Sequence, residues 1–247
     1  MPDKVLPFKV DKEEAQKAFL EFTGKKKFVP KAFFSREQIE KLSGVYFPYW
    51  ICDVKLDGQM KAKATNVRVW RMGDTEYTET KFYEVQRAGG IQFQELTRNA
   101  LKKANRQLVE GVQPFQFEES KDFHMSYLSG FQAERKDMER AEFENEVTQE
   151  LKTYSTNLLR ESISGYATVT PQNTNIQIRE AHWNYMLLPV WVLTYQGKNN
   201  KTYYYAMNGQ NKKVCGELPV DYTKIAMLFA VVAALVFLIT IIGGYFI

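Results

Sequence analysis

The chain has 247 residues, a formal net charge of +4 and a pI near 8.8, with 25% charged and 14% aromatic residues. So mild a positive balance, with its lysines dispersed among acids, argues against nucleic acid as a partner of this chain. Cys52 and Cys215 lie too far apart in sequence to form a framework and fit a reducing compartment, while isolated His124 and His182, with no Cys-x-x-Cys or His-Glu-x-x-His spacing, leave no recognisable zinc or redox site.

Met1-Pro2-Asp3-Lys4 leads straight into charged sequence, so no signal peptide is expected. Asp11 and Glu14 have the spacing of a capping box and open a helix with apolar Ala15, Ala18, Phe19 and Phe22, ending at Gly24. Lys25-Lys26-Lys27 follows, read either as a solvated turn or as a contact to lipid head groups. Ser35 and Gln38 cap a second, short helix closed by Gly44.

From Val45 the pattern is that of strands. Val45–Leu56 and Met60–Val69 predict a hairpin with a three-residue Leu56-Asp57-Gly58 loop. That loop pairs Val54 with Met60, Cys52 with Ala62 and Trp50 with Ala64, and makes Cys52 a core thiol. Gly73-Asp74 turns into a third strand, Thr75–Arg87, ended by Gly89-Gly90. Leu96, Ala100, Leu101, Ala104 and Leu108 predict a helix. Phe115–Phe131 is aromatic without clean periodicity, and the adjacent carboxylates Glu118 and Glu119 point apart, which does not suit acid–base work.

Ala133–Ile163 predicts a long charged helix, roughly 46 Å, ending at Gly165. Its apolar stripe is Phe143, Val147, Leu151, Tyr154 and Leu158. Its early turns are mostly acidic, and Glu142, Glu146 and Glu150 are the candidate partner-binding residues, facing a basic or mixed-charge segment of a soluble protein. Strand-like runs return at Tyr166–Val169, Asn175–Arg179, Trp183–Tyr195 and Thr202–Met207, with turns at Gly197–Asn200 and Asn208-Gly209. Val45–Ile51 echoes Met186–Val192 with Pro-x-Trp in register, which suggests two duplicated halves, about 1–130 and 131–221, with Trp50 and Trp191 equivalent and buried.

Ile225–Ile247 carries no charged side chain and, as a helix, would extend roughly 34 Å, enough for a hydrocarbon core of about 30 Å. Tyr245 and Phe246 lie where an aromatic belt is expected, and Lys212, Lys213 and Lys224 supply a positive flank on the side of the soluble part. The expectation is an α+β protein with antiparallel, hairpin-rich sheets and packed helices over residues 1–221. A single transmembrane anchor occupies 222–247, placing the protein in the cell membrane with a cytoplasmic domain.

Seven ordered motifs stand out: Leu6-Pro7-Phe8, Gly44–Trp50, Tyr77-Thr78-Glu79-Thr80-Lys81, Arg87-Ala88-Gly89, Tyr127–Phe131, Leu188–Trp191 and Ala206–Gln210. Together they resemble a family of Gram-positive bacterial membrane proteins that carry an N-terminal zinc ribbon of the transcription-factor-IIB type. The resemblance implies a cytoplasmic domain with a C-terminal membrane segment, and a neighbourhood of phage-shock-type membrane-stress proteins. The ribbon's four cysteines would precede Pro2 and are absent, so zinc belongs to this protein only if such a ribbon exists elsewhere. Gly-x-x-x-x-Gly-Lys-Ser/Thr is also absent, which leaves a helicase role without support.

Together these readings lead to a non-enzymatic, membrane-anchored adaptor or scaffold with no cofactor in this chain. It would hold to the lipid bilayer and recruit a soluble partner, of which a phage-shock-type protein is one candidate. The alternatives are a nucleic-acid-associated protein acting with a separate zinc ribbon, and an enzyme whose site has no sequence signature.

Overall fold

The computed structural model describes residues 1–102, 110–197 and 201–245. It is an α+β fold. Short strand β1 (Lys4–Val5) leads to helices α1 (Lys12–Gly24) and α2 (Arg36–Glu40) and to two long strands, β2 (Ser43–Met72) and β3 (Thr75–Asn99). Two short strands follow, β4 (Lys121–Asp122) and β5 (Gln132–Ala133), then helix α3 (Arg140–Glu161). The remainder is β6 (Thr168–Gln196), β7 (Thr202–Asn208), β8 (Val214–Gly216) and helix α4 (Tyr222–Tyr245). Among the described residues the strands hydrogen-bond into an eight-stranded, mostly antiparallel sheet ordered β3-β2-β6-β1-β4, with β5 on β2, β7 on β6 and β8 on β7.

The chain divides into two compact units, each drawing on separated stretches of sequence. The first comprises Met1–Asp3, Tyr49–Lys102 and Lys136–Met186; the second comprises Lys4–Pro48, Lys103–Arg135 and Leu187–Ile247.

In the first unit, β2 and β3 pair in register from Tyr49↔Asn99 to Met72↔Thr75, interrupted by one bulge between Cys52 and Val54. The expected turn at Leu56-Asp57-Gly58 is therefore not a turn: β2 continues through it, and Gly58 lies opposite Gly89. Its glycine serves a close approach instead, since a Cβ there would stand 2.9 Å from Leu159 Cδ1 on α3. Gly89-Gly90 likewise lies within β3, which runs on to Asn99. Leu96 consequently sits on a strand and packs beside Cys52, Val54 and Leu56, while the expected helical positions Ala104 and Leu108 lie outside the described residues. The strand-like runs expected from Tyr166 to Tyr195 are likewise one strand, β6, which begins at Thr168 and runs into the second unit.

Helix α3 is shorter than expected, 22 residues from Arg140. Residues 132–133 are taken instead by β5, and the amides of Asp137 and Met138 bond to the Ala100 carbonyl at 3.0 and 3.1 Å. Glu139 and Glu142 form the capping box that starts the helix. Phe143, Val147 and Leu151 pack on Cys52, Val54 and Leu56, and Leu159 packs on Met60, Ala62 and Ala64. The buried row continues at steps of four through Ser155 and Leu159, so Tyr154 and Leu158, expected in the stripe, face outward.

In the second unit, Asp11 accepts from the Glu14 amide at 2.8 Å to cap α1, and Ala15 and Phe19 turn into a core with Phe33, Leu42, Trp191, Tyr205 and Met207. Trp191 is 3% exposed and donates from Nε1 to the Val10 carbonyl at 3.0 Å. Trp50, in the first unit, is only half-buried. Its indole bonds to the Met138 carbonyl at 3.1 Å and carries the Lys136 ammonium, itself paired with Glu139, over its ring at 5.0 Å, so a cation covers part of what was expected to be core.

Among the described residues one helix, Tyr222–Ile242, is long and apolar enough to cross a membrane, with a mean hydropathy of 3.1 and none of that window buried. A core helix would be covered by its own protein; this one is not.

Candidate functional site

The uncovered end of the β2–β3 hairpin is the candidate site. Gly73-Asp74 is the two-residue turn, and Gly73 holds φ +65° at the first central position, as a II′ turn requires. Along β2 toward this turn, Met60, Ala62 and Ala64 are buried under α3 and its exit. Cover ends at Asn66. Its amide nitrogen donates to the Gly165 carbonyl at 3.2 Å, its amide oxygen accepts from the Ala167 amide at 2.9 Å, and β6 begins only at Thr168. Past this point the β2–β3 pair goes on for six residues a side, roughly 20 Å.

This ribbon is apolar on both faces. Cross-strand partners share a face, and Trp70 lies opposite Tyr77 with the rings stacked at 5.6 Å and 12°. Arg68 stands over Trp70 at 5.7 Å, and Met72 extends the same face. The other face carries Val67 and Val69, with Phe82, 77% exposed, opposite Thr65 at the ribbon's base. The sequence reading breaks β2 at Leu56-Asp57-Gly58 and so misses that Met60–Met72 belongs to one long strand whose apolar residues gather at a projecting end. The usable signal was the Gly73-Asp74 turn together with alternation running unbroken through Gly58.

The acidic residues expected to bind a partner do lie along one face of α3, at steps of four. Glu142 pairs with Lys102 at 3.5 Å and closes the capping box, and Glu150 is ion-paired to Arg98; Glu146 is exposed. Glu142 and Glu150 are thus engaged by the chain's own cations.

Other motif residues are consumed by packing in the second unit. Phe8 stacks on Phe131 at 4.2 Å and meets Tyr46 and Trp191 edge-on at 5.0 and 5.2 Å. A Cβ on Gly209 would fall 2.6 Å from Phe8 and 2.9 Å from Pro189. Asn208, fully buried, donates to the Val112 and Pro114 carbonyls at 2.9 and 3.1 Å, and its side-chain oxygen accepts from the Gln210 amide at 2.8 Å. Gln210 in turn bonds Gln116, and its Nε2 donates to Glu119 at 3.1 Å. Glu119 thereby has a structural partner, and it is also ion-paired to Lys9. The Tyr77–Lys81 motif differs: it stands on the exposed ribbon.

Two depressions in the first unit, about 390 and 370 Å³, are lined chiefly by Gln59, Lys61, Arg87 and Asn175, and by Asn157, Arg160, Glu161 and Tyr166. Among the described residues, no group of three or more His, Cys, Asp or Glu is placed to hold a metal ion. Burial pushes the Cys52 thiol up to about 12, which keeps it protonated at neutral pH and unreactive as a nucleophile.

The chain is 31% identical over 237 residues to the uncharacterized protein YdjG of Bacillus subtilis (strain 168), covering 96% of this chain and 69% of that protein. It belongs to the YdjG family. No protein-family model and no solved structure matches the chain. None of these comparisons bears on the zinc-ribbon resemblance.

Proposed function

We propose that the chain is a membrane-anchored scaffold: α4 spans the bilayer once, residues 1–221 stand on the cytoplasmic side, and the β2–β3 ribbon recruits a soluble protein. The observation that carries the reading is the ribbon's two uncovered apolar faces. An isolated two-stranded ribbon is marginal in water, and exposed aromatics clustered on it are the signature of a surface kept for a partner. Arg68, Arg71, Glu76 and Glu79 flank the apolar residues, so a partner of mixed charge with an apolar strip fits. No chemical step is part of this role.

The test is co-purification of a phage-shock-type protein with the membrane-embedded chain, comparing wild type with Trp70→Ser/Tyr77→Ser and with Val67→Ser/Phe82→Ser. Loss of recovery in either double variant, at unchanged melting temperature, supports the role. Recovery unaffected by both removes the ribbon as the docking surface.

A further inference from the structure

Hydrogen bonds fasten the start of α4 to the loop that follows α1. The Asp221 amide donates to the Phe28 carbonyl at 2.7 Å, and the Lys224 ammonium donates to the Val29 carbonyl at 2.6 Å. Asp221 Oδ1 also accepts from the Thr223 amide at 3.1 Å, capping the helix. The loop is thereby held where the apolar helix begins. Together with the segment before α4 it walls a depression of about 380 Å³, lined by Lys25, Lys26, Lys27, Phe28, Leu218 and Val220.

Three lysines in a row are by themselves a solvated turn. Here a second set of observations gives them a place. All three are exposed, and among the described residues none makes an ion pair. Beside them Phe28, Val220 and Tyr222 expose apolar surface, and Tyr222 begins the apolar helix itself. Ammonium groups over an apolar lip, at the foot of a helix fit to cross a bilayer, match the order of groups in a lipid leaflet: phosphate outside, acyl chain within. A free phosphate would use the lysines and leave the apolar lip in water.

We propose that Lys25, Lys26 and Lys27, with the Leu218–Val220 lip, form a docking site for the head groups of anionic phospholipids in the leaflet that α4 enters. The inference rests on the reading of α4 as a membrane span. Such a site orients the second unit against the membrane through a contact that salt weakens, in addition to the insertion of α4, which salt does not weaken.

The full chain reconstituted in nanodiscs of equal parts phosphatidylcholine and phosphatidylglycerol provides the test. Spin-labelled forms of each lipid report their relative association with the protein. Phosphatidylglycerol should be favoured roughly fivefold or more, the effect of about one lysine at such a surface. K25Q/K26Q/K27Q should bring the ratio close to unity, K25R/K26R/K27R should retain it, and millimolar inorganic phosphate should leave it unchanged. An equal ratio in the wild type, or an unchanged preference in the glutamine variant, overturns the site. Displacement by phosphate would make it a phosphate site and overturns the lipid assignment. A chain that does not enter nanodiscs at all overturns the membrane span instead, and the lipid site with it.

Discussion

Arg98 on β3 is clamped to Glu150 on α3, with the arginine side chain 15% exposed and the glutamate 43%. Arg98 Nε is buried without a hydrogen-bond partner among the described residues, so the Glu150 contact carries the neutralisation of this cation. Glu150→Lys is accordingly expected to lower stability by about 1.5–3 kcal/mol, the range for hydrogen bonds to charged groups. Exposed Glu161→Lys, at the other end of the same helix, should stay within about 0.5 kcal/mol. Urea unfolding of the two variants measures the difference. Equal effects would show that the pair contributes nothing beyond surface charge.

Trp191→Ala should cost roughly 3–5 kcal/mol, because a buried indole leaves a cavity and the Val10 carbonyl loses its donor. Trp50→Ala should cost less, about 1.5–3 kcal/mol, since part of that ring already meets solvent and a lysine. Thermal melts with matched heat-capacity corrections would rank them. A larger loss at Trp50 would mean that its hydrogen bond to Met138 matters more than burial does.

Trp70→Ser and Phe82→Ser, by contrast, should change stability by no more than about 0.5 kcal/mol, since neither side chain is in a core. Both should reduce binding of an apolar fluorescent dye to the folded protein. A loss of several kcal/mol would show that the ribbon is held by packing rather than left open.

Burial raises the Cys52 thiol from 9.0 to about 12 and the Tyr46 phenol from 10.0 to about 12, and it raises Tyr205 further still. In the unfolded chain these groups ionise at their ordinary values, whereas the folded protein keeps them protonated. Stability is therefore complete below about pH 9 and falls as pH rises from about 9 toward 12. Denaturation midpoints between pH 8 and 11 should decrease, and Cys52→Ala should flatten the early part of that decrease.

Alkaline carbonate should leave the full chain in the membrane pellet, as expected for a hydrophobic span of this length. Protease added outside intact cells should spare residues 1–221. Release into the supernatant would sink the span, and digestion from outside would reverse the orientation.

Much of the local structure was legible in the sequence. The Asp11 cap, the turn at Gly73-Asp74, the row Phe143–Val147–Leu151 and the apolar run from Ile225 are set by near neighbours: a side chain bonding an amide three residues on, a positive φ, a helical period, an absence of charge. The candidate site was less legible, because its exposure depends on where β6 begins and α3 ends, and both are distant in sequence.

The sequence by itself determined that this is an α+β chain with one apolar helix able to cross a membrane, since composition and periodicity act over a few residues. Only the tertiary structure decided what the glycines and charges do. Gly58 reads as a turn until Leu159 is seen to need its missing Cβ, and Glu150 reads as a free binding charge until Arg98 meets it. Lys25–Lys27 reads as a solvated turn or a lipid contact alike, and that Lys224 fastens the adjoining Val29 to the foot of α4 is visible only in the fold. In each case the deciding atom comes from a distant part of the chain, and its position is set by packing that no local pattern encodes.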